Sequence, residues 1–461
     1  MVFAIAETLC GQYLWPNICA KHPSQLLSLL PMEPQTLESS AAASIVGAAL
    51  PDNALAIGGH TARSLVEKFG SPLYVYDAEV IRQHFQRLTN AFSGVPHRLL
   101  YACKANNNMA IIKFIHQLGA GVDAVSASEV ELAFRCGVPA NQILFTPNCV
   151  AFSEIEYAAE RGVLVNIDNI SVLERFGQNY GGSKPCAIRI NPHILAGGNA
   201  HIQTGHIDSK FGISIHQMRH ILRVINAYGM NVVGLHMHTG SEILDPQTFV
   251  TGAEILFDAA FQFPDLQFLD FGSGFKVPYK PDDIATDVES LGETMTARFR
   301  EFCSEYGRQL ELWFEPGKFL VSASGYLLVT ATVLKQTPSC VFIGTDSGLN
   351  HLIRPMLYDA YHGIINADQL QGTERIYTVV GCICETDTFG VDRRLVQAQE
   401  GTILALKNAG AYGYAMSSNY NLRARPAEVL ILNGRPHCIR RRETLEDMLR
   451  LQMEPELQEE Q

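Results

Sequence analysis

A repeated alternation of short β-rich runs and helical stretches dominates the sequence between Pro72 and Gly317. The pieces between the runs, such as residues 215–222, carry the helical period. About eight such units over roughly 250 residues predict an α/β fold with a TIM-like (β/α)8 barrel rather than a doubly wound sheet. In such a barrel the chemistry lies at the carboxyl ends of the strands. The β-rich runs are PLYVYD, LLYACKA, GVDAV, ILFTP, VLVNI, CAIRIN, VVGLHMH, QFLDFG and LELWFEP.

The sequence on either side of residues 72–317 has a different pattern. Residues 1–52 show no sustained period and are interpreted as an N-terminal extension, in which Met32 is a hypothetical functional start. Residues 53–71 are expected to form a lead-in strand and helix that pack with a later β domain. From 318 to 461, strands recur without crossover helices and a charged segment ends the chain. We therefore expect a mainly β C-terminal domain with a terminal helix after the barrel.

Composition narrows the classes of partner. The 461 residues are 47% hydrophobic, which allows a large core, and the net charge of −12 argues against nucleic acid or an anionic membrane as a partner. The eleven cysteines are scattered without CxxC pairs, so neither a disulfide framework nor a zinc site is indicated. The apolar N-terminus lacks the basic region of a signal peptide, and no run reaches the ~18 apolar residues of a membrane span. These features predict a cytoplasmic protein with a small-molecule substrate.

Lys104 is the first candidate for chemistry. It ends the run LLYACK, so its amine is expected to project into the mouth of the barrel. A lone lysine at a strand end is most often simply solvated, so its meaning depends on its neighbours. The Schiff-base lysine of a pyridoxal-phosphate (PLP) site needs a phosphate site, a partner for the pyridine nitrogen, a group against the ring and a proton donor.

Two other strand ends offer groups of this kind. Gly272, Ser273 and Gly274 follow the run QFLDF, and a glycine turn lets backbone N–H groups approach a phosphate. Taken alone, such a turn is more often just a turn. Glu315 ends the run LELWFE, where a carboxylate could hold a pyridine nitrogen protonated and so make the ring an electron sink. The alternative for Glu315 is a cap of the turn before Pro316.

His236 and His238 alternate along the run GLHMHTG and so are expected to share one face of a strand. An HxH pair of this kind also occurs in metal centres, so a metallohydrolase barrel is a rival interpretation. We find no further ligands at other strand ends to complete such a centre, and we predict no metal. A stacking imidazole beside a phosphate-binding Ser241 fits the PLP interpretation better.

The sequence from about residue 57 to 446 resembles the fold-type III PLP-dependent decarboxylases, whose fold is of the alanine racemase/ornithine decarboxylase type. Within them it is most similar to the branch that acts on diaminopimelate. The resemblance rests on residues 101–106 (YACKAN), 189–192 (RINP), 204–212 (TGHIDSKFG), 236–241 (HMHTGS) and 315–317 (EPG), together with runs in the β domain.

The resemblance implies a role for each matching residue. Lys104 is implied to be the Schiff-base lysine, His238 to stack on the PLP ring and Glu315 to contact the pyridine nitrogen. The family's active site forms between two subunits, so a homodimer with shared active sites is implied, with Cys384 of the neighbouring chain as proton donor. From composition alone, Cys384 would more often be a buried small hydrophobe. The implied phosphate and cofactor contacts are Ser241, Gly272, Ser273, Gly274 and Tyr412.

The substrate follows from the charge at its distal end. Diaminopimelate carries a distal carboxylate and amine together, so its site needs cations as well as an anion, whereas ornithine needs only acceptors. Arg354 and Tyr358 are four residues apart and share a face if their segment is helical, and Glu385 would serve the distal ammonium. This set favours meso-diaminopimelate, converted to L-lysine and carbon dioxide in the last step of lysine biosynthesis. Taken alone, an arginine such as Arg354 is most often a solvated surface charge.

Two positions depart from the family's pattern. Lys318 follows Glu-Pro-Gly where many relatives have arginine, so it keeps the charge but loses the bidentate fork. Lys318 and Tyr412 are candidates for contact with the substrate, and Lys318 is a candidate for the phosphate as well. Ser273 stands where relatives commonly have a third glycine.

Besides the metallohydrolase barrel, two alternatives stay open at the sequence level. One is a related decarboxylase that acts on ornithine, arginine or a carboxylated polyamine; Arg354 argues against the first two of these substrates. The other is a catalytically silent homologue that keeps the barrel, against which the joint presence of Lys104, Glu315 and Cys384 argues.

Overall fold

The computed structural model describes residues 53–193, 209–238, 240 and 246–455, without the side chains of 246–248. The expectations for residues 1–52, including Met32, for the motif residues 204–208 and for Ser241 lie outside the described residues. Within the described ranges, no helix is long and apolar enough to cross a membrane.

In the described residues the strands follow one another as β1 (Ala56–Ile57), β2 (His60–Thr61), β3 (Leu73–Asp77), β4 (His97–Ala102), β5 (Gly121–Ala124), β6 (Ile143–Phe145), β7 (Leu164–Ile167), β8 (Pro185–Asn191), β9 (Ile213–Ser214), β10 (Asn231–His236), β11 (Phe268–Asp270), β12 (Glu311–Phe314), β13 (Gly325–Gln336), β14 (Val341–Thr345), β15 (Ile364–Asn366), β16 (Glu374–Val380), β17 (Thr388–Val396), β18 (Ile403–Leu406), β19 (Ala427–Leu432) and β20 (Arg435–Arg440). The α-helices are α1 (Ala62–Phe69), α2 (Ala78–Ala91), α3 (Met109–Gln117), α4 (Ala127–Arg135), α5 (Phe152–Glu160), α6 (Ile170–Tyr180), α7 (Met218–Tyr228), α8 (Pro246–Ala260), α9 (Val288–Tyr306), α10 (Lys318–Val321), α11 (Arg354–Tyr358) and α12 (Leu445–Leu449).

Eight parallel strands close into a barrel. They pair in the order β4, β5, β6, β7, β8, β10, β11, β12, and β12 pairs back with β4. Strand β9 adds to the end of β8. The predicted (β/α)8 barrel is confirmed, and the carboxyl ends of its strands therefore meet at one rim.

The barrel interior is apolar at one level and polar at another. Phe268 and Trp313 stack inside it with ring centroids 3.6 Å apart, in a cluster with Leu100, Leu144 and Val233. Further polar side chains are also buried, and they lie within the last three residues of their strands or just beyond them: Asp123, Asn166, Arg189, His236, Asp270 and Glu315. The apolar side chains thus form a packed floor beneath a polar chamber.

Helix α9 shows why the outer helices form. Asp287 caps its first turn by accepting from the Ser290 N–H, and Gly307 ends it with φ +80, which glycine adopts without strain. Its apolar residues recur at helical spacing, so one face is buried against the barrel. The buried members are Leu291, Met295, Phe299 and Phe302.

The second sheet is mainly antiparallel, in the order β17, β16, β14, β13, β3, β19, β20, with β18 pairing both β13 and β15. It includes β3, so the interpretation of PLYVYD as a barrel strand is wrong. This strand pairs with β13 and β19, more than 240 positions later in the chain. A buried apolar run looks the same in either sheet, since its partners are not encoded in its own periodicity. Ile57, Ala62 and Leu65 of the lead-in segment pack on this sheet.

Candidate active site

Lys104 lies in a single 3₁₀ turn, Cys103–Ala105, directly after β4. Its Nζ lies 3.1 Å from Oδ2 of Asp123, which is buried at the end of β5. The turn is held by a hydrogen bond from the Tyr101 hydroxyl to the Asn106 carbonyl (2.9 Å). Lys104 keeps 42% of its side chain accessible. The predicted position of the amine at the barrel mouth is confirmed, at the point where β4 ends.

The charges around Lys104 favour its ammonium form. Desolvation of the amine would lower its pKa, but the Asp123 carboxylate, with Glu315 contributing, raises the pKa of Lys104 above its usual value. Burial raises the pKa of Asp123, with repulsion from Glu315 adding to this and the Lys104 charge opposing it. The buried Asp123 carboxylate therefore anchors the ammonium group of a lysine whose side chain is partly accessible.

Glu315 follows β12 and is buried. Its Oε2 accepts from Nε2 of His236 at 3.2 Å, and Thr146 donates to Oε1 at 3.5 Å. Burial opposes ionisation, but the hydrogen bond from His236 and the Lys104 charge hold the pKa of Glu315 below its usual value. Burial lowers the pKa of His236, so its ring is neutral and donates through Nε2. Glu315 is thus a carboxylate fixed at the chamber's base.

Asp270 completes this cluster. Its Oδ1 accepts from the Gly272 N–H at 2.8 Å, and burial, followed by repulsion from Glu315, raises the pKa of Asp270. Ligand-type atoms of His236, Asp270 and Glu315 all lie within 4.8 Å of one another. The sequence argument that no further ligand-type residues at other strand ends accompany His236 is therefore wrong. The three buried side chains are linked by the His236–Glu315 bond and, through Gly272, to the glycine turn.

The glycine turn lies against His238. Gly272 has φ +63, and a Cβ added there would lie 2.6 Å from Nδ1 of His238. The Ser273 N–H donates to the same nitrogen at 3.2 Å. Burial lowers the pKa of His238 to about 3, so its ring is neutral. The expectation that His236 and His238 share one strand face is wrong in detail, because β10 ends at His236 and the two rings have different partners.

The β domain reaches the barrel mouth through Tyr412. Its N–H donates to the Ala105 carbonyl at 2.8 Å, and Asn106 Nδ2 donates to the Gly410 carbonyl at 3.2 Å. Burial raises the pKa of Tyr412, and both the Lys104 and the Arg354 charges act to lower it. Tyr412 is therefore buried within electrostatic reach of both cations.

Arg354 and Tyr358 are the first and last residues of helix α11, so the condition under which they were expected to share a face, a helical segment, is met. The Arg354 guanidinium lies 5.1 Å from the Tyr279 ring centroid and 5.9 Å from that of Tyr412. Its Nε is buried and has no hydrogen-bond partner within the described structure. Lys318 begins helix α10, three residues after Glu315. Arg354 thus contributes a positive charge beside Tyr412.

Cys384 and Glu385 lie on the loop between β16 and β17. Cys384 is exposed and contacts Asn421, and Glu385 accepts from the Tyr420 hydroxyl at 3.0 Å. Among the described residues of this one chain, no recorded contact joins either residue to Lys104. The chain alone therefore does not bring Cys384 to the lysine.

Sequence reasoning missed Asp123 and Asp270, the two buried carboxylates nearest Lys104 and Glu315. A usable signal was present, because each is an acidic residue near the end of an otherwise apolar barrel strand, in GVDAV and QFLDFG. Arg189, buried at the end of β8, carries the same signal in CAIRIN. Burial lowers the pKa of Arg189, yet the surrounding acidic groups oppose this shift.

The residues present fit pyridoxal phosphate. The amine of Lys104 can reach an aldehyde, the buried Glu315 carboxylate can accept from a ring nitrogen, and the absence of a Cβ at Gly272 lets the turn pack against the ring of His238. Together, the barrel and this set of groups define the class: a barrel enzyme dependent on pyridoxal phosphate.

Comparison with known proteins identifies the family of this chain. The model for the pyridoxal-binding domain of pyridoxal-dependent decarboxylases matches residues 78–322. The diaminopimelate decarboxylase of Methanothermobacter thermautotrophicus is 38% identical over 87% of this chain and 96% of its own. The crystal structure of the Methanocaldococcus jannaschii enzyme in complex with L-lysine superposes with a TM-score of 0.80 at 32% identity, covering 88% of this chain and 97% of that one. The chain belongs to the pyridoxal-dependent decarboxylases, in the family of the diaminopimelate decarboxylases.

A more distant enzyme shares the fold. The lysine/ornithine decarboxylase of Vibrio vulnificus, crystallised with putrescine, has a TM-score of 0.70 at 23% identity and covers 81% of this chain and 97% of its own.

Proposed function

We propose that the protein decarboxylates meso-2,6-diaminopimelate to L-lysine and carbon dioxide, the last step of lysine biosynthesis. The observation that carries this proposal is the pairing of Lys104 with Asp123 above the buried Glu315, in a chain 38% identical to a diaminopimelate decarboxylase. The product named in the related crystal structure is L-lysine, which fits the same reaction.

Each residue of the chamber has a separate task. Lys104 binds the cofactor covalently through its amine, and Asp123 fixes that amine in place. Glu315, bonded to His236, holds a proton on the ring nitrogen. Bound pyridoxal phosphate supplies the electron sink that accepts the electron pair of the broken carbon–carboxylate bond. His238 would lie against the ring, and the residues that would hold the phosphate are Ser241, Gly272, Ser273, Gly274 and Tyr412.

Arg354 selects the substrate in this proposal. A guanidinium that is partly desolvated between Tyr279 and Tyr412, with a buried and unpaired Nε, has donors for a distal carboxylate. Tyr358 adds a hydroxyl from the same helix, Lys318 a second positive charge, and Tyr412 a further contact. Glu385 accepts from the distal ammonium. Ornithine lacks the group that Arg354 would bind.

The proposed working form is a homodimer with shared active sites. Cys384 and Glu385 lie exposed on the β16–β17 loop, and no recorded contact within the described chain joins them to Lys104. A neighbouring subunit would supply both residues to the chamber. The Cys384 thiol then gives its proton to the carbanion carbon, forming a C–H bond and leaving a thiolate that solvent reprotonates.

A reducing compartment, the cytoplasm, suits this chemistry. The nine cysteines of the described residues are all free thiols, and the proposed donor Cys384 must stay reduced to act. No nucleic acid or membrane enters the proposal.

The test is incubation of the protein with meso-diaminopimelate, ornithine and arginine, with and without pyridoxal phosphate, measuring carbon dioxide and identifying the amine. We expect release of carbon dioxide and L-lysine from diaminopimelate alone, dependent on the cofactor. Lys104→Ala should abolish both turnover and the absorption band of the bound cofactor. Preference for ornithine or arginine, or an active Lys104→Ala protein, would overturn the proposal.

A further inference from the structure

The side-chain amide of Asn421 contacts both the sulfur and the backbone N–H of Cys384. The Cys384 backbone N–H donates to Asn421 Oδ1 at 3.2 Å. The sulfur lies 3.3 Å from that same oxygen and 3.2 Å from Asn421 Nδ2. One amide group therefore faces the thiol with an acceptor and a donor at once.

The backbone contact fixes which way this amide points. The Cys384 N–H can only donate, so it requires the oxygen of Asn421 rather than the nitrogen. With the oxygen so placed, a thiol can donate S–H to Oδ1, and a thiolate can accept N–H from Nδ2. The sulfur thus has a hydrogen-bond partner in either protonation state without moving the amide.

The turn that carries Asn421 has an uncommon backbone. Asn421 has φ 58 and ψ 25, and Leu422 after it has φ 54. Asparagine is among the non-glycine residues that adopt this left-handed region most readily, whereas leucine does so rarely. Two successive residues of this kind persist where the surrounding contacts hold them.

Such contacts tie this turn to the loop of Cys384. The Tyr420 hydroxyl donates to Glu385 at 3.0 Å, and Arg423 Nη2 donates to the Cys382 carbonyl at 3.3 Å. Behind the turn, Asn419 Nδ2 donates to Glu443 at 2.6 Å. The Asn421 amide is therefore presented to the sulfur by a turn anchored on both sides.

We propose that Asn421 is a positioning residue that holds the Cys384 sulfur at one place and orientation as it changes between thiol and thiolate. This inference rests on the proposed function, in which Cys384 gives a proton to the carbanion and is reprotonated. Asn421 touches neither the substrate nor the cofactor in this proposal. It aims the S–H and keeps the anion in place until solvent returns the proton.

Two substitutions separate the parts of this role. Asn421→Gly removes the amide but allows φ 58 without strain, so the turn is kept. Asn421→Asp keeps an acceptor of the same shape but replaces the N–H donor by a negative charge. Melting temperatures of both full-length, cofactor-loaded variants establish that they are folded.

The first readout does not depend on turnover. Alkylation by iodoacetamide at pH 8, followed by peptide mass spectrometry, reports the reactivity of each thiol, because the thiolate is the nucleophile. Asn421→Asp should slow alkylation of Cys384 about tenfold, because a carboxylate oxygen in the place of Oδ1, 3.3 Å from the sulfur, disfavours the thiolate. The exposed Cys149 and Cys438 serve as internal controls and should react at wild-type rates. Unchanged alkylation of Cys384 would overturn the proposal.

The second readout is the ratio of L-lysine formed to carbon dioxide released. If the carbanion is protonated at a carbon other than the one that lost the carboxylate, carbon dioxide has been released but no lysine forms. Asn421→Gly should therefore lower the ratio of lysine to carbon dioxide. The matched variant Tyr420→Phe removes the Glu385 contact in the same turn and should raise KM while leaving the ratio unchanged.

Cys384→Ala distinguishes the two levels of the argument. If Cys384→Ala lowers the ratio but Asn421→Gly gives the wild-type ratio and kcat, the positioning role is wrong and the proposed function stands. If Cys384→Ala itself leaves the ratio and kcat unchanged, the proton-donor assignment fails and the positioning role fails with it. A lowered ratio in both variants, with slowed alkylation in Asn421→Asp, supports both.

Discussion

Asp123 is the residue that most changes how Lys104 behaves. Its carboxylate lies 3.1 Å from the amine and raises the pKa of Lys104. Asp123→Asn removes that charge, so the amine loses its proton more easily. Reconstitution of cofactor-free protein with pyridoxal phosphate, followed by absorbance, should then reach half-completion at a lower pH than in the wild type. Asp123→Glu, which keeps the charge, should shift that midpoint less; an unshifted midpoint in Asp123→Asn would show that the carboxylate does not control the amine.

Arg354 offers a test of substrate choice by one side chain. Loss of a charge-assisted hydrogen bond costs about 2 kcal/mol, so Arg354→Ala should lower kcat/KM for meso-diaminopimelate about 30-fold. Any slow turnover of L-lysine, which has no distal carboxylate, should change little. Steady-state kinetics with the two substrates give the comparison. Equal losses on both would mean that Arg354 acts on the chamber as a whole.

At the scale of single residues, the sequence predicted the positions of Lys104 and Glu315, because each ends a recognisable strand. It did not predict the hydrogen bond of Glu315 to His236 or the ion pair of Lys104 with Asp123. Those contacts join neighbouring strands, and strand periodicity carries no information on which polar ends meet across a barrel. The acidic residues inside apolar strands were visible, but their partners were not.

At the scale of elements, the glycine turn after β11 leaves no room for a side chain at Gly272. A Cβ on Gly272 would meet Nδ1 of His238 at 2.6 Å and would also be strained at φ +63. Gly272→Ala should therefore displace the imidazole and weaken binding of pyridoxal phosphate at least about tenfold, with roughly 1 kcal/mol of lost stability from the backbone.

Gly229 provides the matched control for that experiment. It ends helix α7 with φ +60, and an added Cβ would meet nothing within 4 Å. Gly229→Ala should lose similar stability while binding the cofactor normally, as measured by fluorescence titration and thermal unfolding. Equal affinities for the cofactor in the two variants would contradict the contact with His238.

Two buried histidines make the stability of the β domain depend on pH. Burial lowers the pKa values of His351 and His362 to about 4, well below the usual value of an unfolded chain. The unfolded state therefore binds more protons at pH 4–6.5, so this stability is present above about pH 6.5 and is lost as pH falls. Each histidine should cost about 2 kcal/mol of unfolding free energy at pH 5 relative to pH 7.

Replacement of one histidine isolates its share. His362→Gln should flatten the loss of stability between pH 7 and pH 5, as followed by urea unfolding at several pH values. A slope identical to that of the wild type would show that His362 does not titrate on unfolding. The substitution also changes the stability at pH 7, so only the slope of stability against pH is informative.

Strand β3 marks the limit of prediction at the element scale. Its sequence, LYVYD, is buried and apolar like a barrel strand, and it directly precedes a helix. Its partners β13 and β19 lie far along the chain, so only the folded structure assigns it to the second sheet. The remaining eight β-rich runs were assigned correctly to the barrel, but a following helix does not distinguish them from β3, since α2 follows β3 as well.

At the scale of the whole molecule, the separation of Lys104 from Cys384 leads to the last prediction. Lys104 lies at the barrel mouth, whereas Cys384 lies exposed on a loop of the β domain. In a homodimer with shared sites, a mixed dimer of Lys104→Ala and Cys384→Ala chains has one site with both defects and one intact site. Random mixing during coexpression makes half of the dimers mixed, so about a quarter of wild-type activity should return. If both residues served one chain, every site would carry a defect, and coexpression would restore nothing beyond the activity of the separate variants.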